Sequence, residues 1–302
     1  AMRSVLGERV IGICDTPIGL VNRTLNALDI PEEERADVSF DYAGLNHLGW
    51  LRSLSVDGRD VLPRLFADEA ALGSMEESRA IGTDWIRALG ALPNEYLFYY
   101  YCHREAMARI HQDQTRGEYL RDQQEAFYNA VLSQPEKAGR TWINALADRE
   151  ATYMAEARDV DERSGRRAED IAGGGYQKVA LDLMNALATN TPARMILNVG
   201  NGDGGFSSIP KLRDTDVVEV PCDVDASGVH PIPVAPLSGA ALGLVQSVKA
   251  CENLVIDAAR ERDRGLAWQA LALHPLVDSV NVARDVLDQA IRTNPLVAAA
   301  FD

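Results

Sequence analysis

Cys14 and Asp15 stand side by side at the end of the short apolar run Val10-Ile11-Gly12-Ile13, and Thr16-Pro17 follows them into a stretch of helical apolar spacing. A thiolate at a helix start is stabilised by the helix dipole, and strand ends are where open sheets bind ligands. His47 lies in Gly44-Leu45-Asn46-His47-Leu48-Gly49-Trp50, between two segments that read as strands. A Cys and a His brought together could hold one divalent metal and leave coordination positions for substrate oxygens. A lone histidine is more often a hydrogen-bonded structural residue, so spacing alone leaves both readings open. Residues 92–101 place four of the nine tyrosines within six positions, at Tyr96, Tyr99, Tyr100 and Tyr101. Such a run serves either as an aromatic core segment or as the source of a phenol whose pKa a nearby metal lowers until it acts as a base.

One conspicuous motif fails on context. Gly200-Asn201-Gly202-Asp203-Gly204-Gly205 fits G-x-G-x-x-G and follows a predicted strand, but a dinucleotide site needs a helix to open on its third glycine. Phe206-Ser207-Ser208-Ile209-Pro210 follows instead, and the proline spoils a helix there, so the segment reads as a glycine-rich loop. His103, His111, His230 and His274 show no ligand-like spacing, and Cys102, Cys222 and Cys251 read as buried and inert.

The elements that must carry these residues follow from periodicity. Strands are predicted over 9–14, 38–42, 51–56, 195–199 and 217–220, with a tight Asp57-Gly58 turn. Helices are predicted over 18–28, across most of 61–156 with 118–132 the clearest, over 176–187, and over 254–262, 266–273 and 282–291. Residues 156–175 read as a surface loop and 231–237, with three prolines, as an extended connector. There is no internal repeat. The fold class is α+β, mixed strands with many helices.

Composition narrows the function classes. In 302 residues, 45 acidic side chains against 30 basic ones leave a formal charge of −15, which argues against nucleic acid or an anionic membrane as partner. No apolar run approaches the roughly 18 residues that span a bilayer. Four scattered cysteines form no disulfide framework, so the chain reads as a reduced, cytoplasmic protein.

Taken in order, Gly12-Ile13-Cys14-Asp15-Thr16-Pro17-Ile18-Gly19, Gly44-Leu45-Asn46-His47, Pro93-Asn94-Glu95-Tyr96-Leu97, Gly174-Gly175-Tyr176 and Val218-Glu219-Val220-Pro221 resemble glycoside hydrolase family 4, and most of all its 6-phospho-β-glucosidases. The resemblance runs over essentially the whole chain. It implies the lactate/malate-dehydrogenase-like fold of that family, with residues 1–302 as the C-terminal metal-binding, substrate-binding and oligomerisation domain. On this reading the dinucleotide-binding half is absent from the chain, and the isolated piece is expected to be inactive. The family, an exception to two-carboxylate hydrolysis, works by oxidation and elimination with NAD and a divalent metal such as Mn.

The resemblance also assigns roles. Cys14 and His47 match the metal ligands, Tyr96 the catalytic base with Tyr176 as runner-up, and Asn46 a substrate contact beside the metal. Asp15 departs from the β branch, which has Cys-Asn here, and matches the Cys-Asp of the phospho-α-glucosidases, where the Asp is general acid. The implied substrate is a phosphorylated disaccharide or 6-phospho-glycoside, and the implied assembly a homodimer or homotetramer. Two rival readings are a non-catalytic sugar-phosphate-binding scaffold and a hydroxyacid dehydrogenase relative. The latter would need a His–Asp pair rather than a Cys–His metal site.

Overall fold

The computed structural model describes residues 1–35, 37–111, 114–157 and 175–301. The chain is α+β, and its strands are β1 (Gly12–Ile13), β2 (Val38–Leu45), β3 (Leu48–Val56), β4 (Arg59–Asp60), β5 (Leu92–Pro93), β6 (Ala193–Gly200), β7 (Val217–Asp225) and β8 (Gly228–Pro231). The sheet order is β1-β6-β7-β2-β3-β4, with β8 on β7 and β5 on β3, and β1 with β6, β6 with β7, β7 with β2 and β8, and β3 with β4 all pair antiparallel. The chain divides into two compact units, the first made of residues 1–14, 41–50 and 180–302, the second of residues 15–40 and 51–179.

The first unit is built on β6 and β7, paired residue by residue from Ala193↔Val224 to Gly200↔Val217. Ile196, Leu197, Val199, Val218, Val220 and Cys222 are buried there, as continuous apolar runs require of a strand covered on both faces. One row across this sheet reads Gly12, Asn198, Glu219, Gly44, because Gly12 pairs with Asn198, Asn198 with Glu219, and Glu219 with Gly44. The two outer positions are glycines for a steric reason. A Cβ at Gly12 would lie 2.8 Å from the Asn198 Cβ, and one at Gly44 would overlap the Leu48 carbonyl oxygen and the Gly49 Cα. Helices Gly239–Glu261, Arg264–Leu273 and Val280–Thr293 close the unit around Ala258, Ala267 and Leu287. The Trp268 indole donates to the Val280 carbonyl at 2.8 Å, and the Arg284 guanidinium stacks on its ring at 4.1 Å.

The second unit is mainly helical, as expected over 61–156, with Arg116–Ser133 and Ala138–Ala151 its longest helices. Arg116–Ser133 opens on a capping box in which Thr115 and Glu118 satisfy each other's backbone N–H groups. Helix Thr16–Ala27 begins two residues earlier than its periodicity predicts, because Pro17 suits the first turn. It buries Leu20, Val21, Thr24 and Leu25 together with Arg23.

Other boundaries differ for identifiable reasons. The strand predicted over 9–14 shrinks to Gly12–Ile13, since residues 3–6 coil into a short helix and 7–9 into a 3-10 turn. The helix predicted over 254–262 extends back to Gly239, and strand β8 had no sequence signal because its partner β7 supplies the pairing. Asp57 and Gly58 both take positive φ (49° and 74°) between the paired residues Val56 and Arg59, the two-residue turn expected of that dipeptide. The Gly200–Gly205 segment is a plain loop with no helix after it, held by Asn201, whose side chain accepts from the Ile209 N–H at 2.7 Å. Most of the loop predicted over 156–175, including Gly173 and Gly174, lies outside the described residues.

The Gly44 position sets a stability test. Gly44→Ala is expected to cost at least ~2 kcal/mol in urea unfolding, because the added methyl meets backbone that cannot yield. Gly58→Ala, strained by its φ of 74° but facing open space, is expected to cost about 1 kcal/mol.

Candidate functional site

Within the first unit, Cys14 directly follows β1 and is buried, with 1% of its surface exposed. Asn46 and His47 form the two-residue turn between β2 and β3, and His47 takes the left-handed conformation at φ 62°. Polar residues such as Asn, Asp and His tolerate that region better than most, so the sequence Asn-His suits the turn.

The sheet ties these two places together through Glu219. Tyr42 and Gly44 share one face of β2 at the strand period of two, Asn46 follows in the turn, and Glu219 lies directly opposite Gly44. The Glu219 carboxylate is held by three side-chain donors. It accepts from the Tyr42 hydroxyl at 3.0 Å, the Asn198 amide at 2.9 Å and the Asn46 amide at 3.4 Å. Asn198 in turn sits opposite Gly12, two residues before Cys14. Glu219 is fully buried, and burial pushes its carboxyl up to about 7 against the pull of the three donors.

Within the second unit, Asp15 occupies the N-cap position of helix Thr16–Ala27, yet its side chain makes no capping hydrogen bond. The next residue, Thr16, receives the Asn94 amide N–H at 2.7 Å. Asn94 is wholly buried, and its carbonyl oxygen accepts from the Tyr96 backbone N–H at 3.1 Å. One asparagine therefore joins the start of the Asp15 helix to the backbone of Tyr96. Further along the same helix Arg23 reaches the next residue of that segment. Its guanidinium bonds Glu77 and lies 3.4 Å from Glu95, all three being buried. One cation facing two carboxylates leaves surplus negative charge out of water, and burial raises both, Glu95 to about 7.

Tyr96 belongs to an aromatic cluster with Tyr99 and Tyr153. The Tyr153 hydroxyl donates to the Tyr96 oxygen at 2.6 Å. Tyr99 instead donates to the Glu156 carboxylate, and burial with that hydrogen bond holds its phenol well above the usual range. Tyr176 is exposed on the first turn of helix Gly175–Thr189. The structure thus groups Cys14, Asn46 and His47 in the first unit and Asp15, Tyr96 and Tyr176 in the second. Among the described residues no three His, Cys, Asp or Glu side chains form a metal cage, so a metal here would rest on two protein donors plus ligand oxygens. Sulfur from Cys14 and nitrogen from His47 are a donor set that leaves such positions open.

A family model described as the family 4 glycosyl hydrolase C-terminal domain matches residues 42–277. The chain belongs to glycosyl hydrolase family 4. Among its relatives, the maltose-6'-phosphate glucosidase MalH of Clostridium acetobutylicum is 27% identical over 302 residues, covering 95% of this chain and 62% of that protein. The 6-phospho-beta-glucosidase BglT of Thermotoga maritima is 27% identical over 290 residues, covering 95% of this chain and 61% of that protein. A solved structure of the Thermotoga maritima enzyme with NAD and glucose-6-phosphate superposes with a TM-score of 0.72 at 25% identity, covering 98% of this chain and 63% of that one. The chain thus spans about three fifths of the length of the relatives it matches. No described helix is long and apolar enough to cross a membrane.

Sequence reasoning placed Glu219 and Asn94 only as letters in family segments and passed over Asn198, Tyr42, Arg23, Glu77 and Tyr153. Two of these carried a signal: Glu219 is a lone charge inside Val-Val-Glu-Val, and Arg23 falls among the apolar positions of its helix. A charge on a buried face demands partners.

The raised carboxyls set a pH dependence. Glu219 and Glu95 keep their protons up to about pH 7 when folded, whereas an unfolded glutamate loses its own near ~4.3. Between those values the native state binds more protons than the unfolded one, so stability falls as pH rises through the window. Glu219→Gln cannot ionise and is expected to flatten the fall. Urea midpoints taken from about pH 5 to about pH 8 check this, and an unchanged slope in the variant contradicts it.

Proposed function

We propose that the chain is the metal- and substrate-binding part of a 6-phospho-glycosidase that acts by oxidation at C3, loss of the C2 proton and elimination of the C1 substituent. The observation that carries the reading is the link from Thr16, next to Asp15, through Asn94 to the backbone of Tyr96, which joins the segment bearing an acid to the segment bearing a phenol. Membership of family 4 supplies the reaction class, and the Thermotoga maritima neighbour has been solved with manganese, NAD+ and glucose-6-phosphate.

When bound, the nicotinamide and a divalent metal, of which manganese is the proposed one, supply reversible oxidation at C3 and Lewis acidity at the sugar's O2 and O3. Cys14 and His47 would hold the metal, and Asn46 would contact the sugar beside it. Tyr96 as phenolate takes the C2 proton, which leaves the C–H electron pair on carbon beside the ketone. Asp15 gives a proton to the departing glycosidic oxygen. Its carboxyl is not engaged by the helix N-terminus it precedes, so it remains available for that transfer. The protein is proposed to work as a homodimer or homotetramer on a phosphorylated disaccharide in the cytoplasm.

Two anomeric readings differ at one residue. The order of motifs favours a β-glucosidase, whereas Asp15 after Cys14 favours the α branch, and several relatives are named as maltose-6'-phosphate glucosidases. The full-length protein with NAD⁺, Mn²⁺ and a reductant is expected to hydrolyse a chromogenic 6-phosphoglycoside. A higher kcat/KM on the α anomer, lost about 100-fold in Asp15→Asn, marks the α branch; preference for the β anomer with little effect of that variant marks the other. Tyr96→Phe is expected to lower kcat about 100- to 10,000-fold and to stop exchange of the substrate C2 hydrogen with deuterated solvent, and full exchange in this variant removes Tyr96 as base.

A further inference from the structure

Three phenols meet in the second unit, and their hydrogen bonds sort them. Tyr99 gives its proton toward a carboxylate, Glu156, which opposes ionisation of Tyr99. Tyr96 is in the opposite position, as its oxygen receives an O–H, from Tyr153 at 2.6 Å with the rings edge to face at 6.2 Å. A hydrogen bond donated to an oxygen strengthens as that oxygen becomes negative, so it favours the ionised form of the acceptor.

We propose that Tyr153 is a positioning residue for the Tyr96 oxygen, donating its O–H to hold that oxygen as a phenolate acceptor aimed for proton abstraction, an assignment that rests on Tyr96 being the base. Tyr153 keeps its own proton throughout. It steadies the negative charge before the C2 proton arrives and releases part of that stabilisation once Tyr96 is protonated.

Charged groups on the surrounding elements adjoin the same cluster. Glu95 adjoins Tyr96, and its carboxylate is turned toward Arg23. Glu156 is engaged by Tyr99 through its carboxylate, and by Arg109 through its backbone carbonyl at 2.7 Å. Arg116, from the start of helix Arg116–Ser133, donates to the Thr152 hydroxyl at 2.5 Å, one residue before Tyr153, and its charge draws Tyr99 down. Within this cluster the Tyr153 hydroxyl makes a hydrogen bond to the Tyr96 oxygen itself.

The test uses tyrosine ionisation, read by ultraviolet difference absorbance on the chain itself, so it does not depend on turnover. Subtracting the Tyr96→Phe titration from that of the unmodified chain isolates Tyr96, and the same subtraction in a Tyr153→Phe background gives its value without the donor. The Tyr96 midpoint is expected to rise by about one pH unit when Tyr153 is replaced, and by less than half as much in a Tyr99→Phe background. No rise, or an equal rise in both backgrounds, overturns the proposal. Should Tyr153→Phe unfold, carbon NMR of ring-labelled tyrosine in the unmodified chain decides instead. Tyr96 must ionise before Tyr153 and Tyr99, and Tyr153 ionising first overturns the assignment. In the full-length enzyme Tyr153→Phe is further expected to move the acidic limb of the kcat profile upward by a similar amount, with KM changed less than about twofold. These results separate the two layers. If Tyr96→Phe is inert in turnover, the base assignment fails; if only Tyr153→Phe is inert, Tyr96 stands and this inference falls.

Discussion

The carboxylate of Glu219 is the constraint around which the first unit is arranged. Taking an ion of that size out of water costs several kcal/mol, and the site answers with three donors, each hydrogen bond to a charged group contributing ~1.5–3 kcal/mol. Every donor comes from a different place: Tyr42 from β2, Asn46 from the turn that follows it, Asn198 from β6. Satisfying the carboxylate therefore fixes the register of three strands at once, and a one-residue slip would turn every donor to the opposite face. The glycines at both ends of the row are the steric counterpart of this arrangement. Gly12 makes room for the Asn198 side chain and Gly44 for the Leu48–Gly49 backbone, and they stand two residues before Cys14 and Asn46.

The second unit solves a similar problem with different chemistry. Asn94 spends its amide on Thr16 and its carbonyl on the Tyr96 backbone, so neither end is left to water. Arg23 makes a second attachment from the same helix to the neighbouring Glu95, with Glu77 sharing the guanidinium. A buried ion cluster of this kind is a poor source of stability compared with apolar packing, but it is intolerant of displacement. Two attachments about two helical turns apart hold helix Thr16–Ala27 against rotation about its axis, which is what a residue at its N-cap needs if it is to face a reacting atom.

Local chemistry was legible in the sequence wherever it was short-range. The Asp57-Gly58 turn, the start of the helix at Pro17, the failure of the glycine-rich motif at Pro210 and the long helix after Arg116 all follow from residues within a few positions of one another. Cys14, His47 and Tyr96 stood out as residue types able to do chemistry, and their proposed roles come from the family resemblance. What periodicity does not carry is pairing across distance. Glu219 meets Tyr42 across 177 positions, Arg23 meets Glu77 across 54, and Tyr153 meets Tyr96 across 57. Each pairing depends on tertiary closure, and only the misplaced polarity of Glu219 and Arg23 in apolar patterns hinted that partners existed.

The tyrosine run shows how such closure turns a composition feature into a chemical distinction. In the sequence Tyr96 and Tyr99 are near-equivalent phenols three positions apart. In the fold one is given a carboxylate to donate to and the other a hydroxyl to accept from. The first arrangement makes ionisation harder, because the phenolate would lose its hydrogen bond and face Glu156 charge to charge. The second makes it easier, because the incoming O–H gains strength as negative charge grows on the acceptor. A base working near neutral pH must have its ionisation favoured, and a structural phenol must resist it. Partner polarity thus sets the two tyrosines apart, beside the burial that raises Tyr99, through residues that lie more than fifty positions downstream.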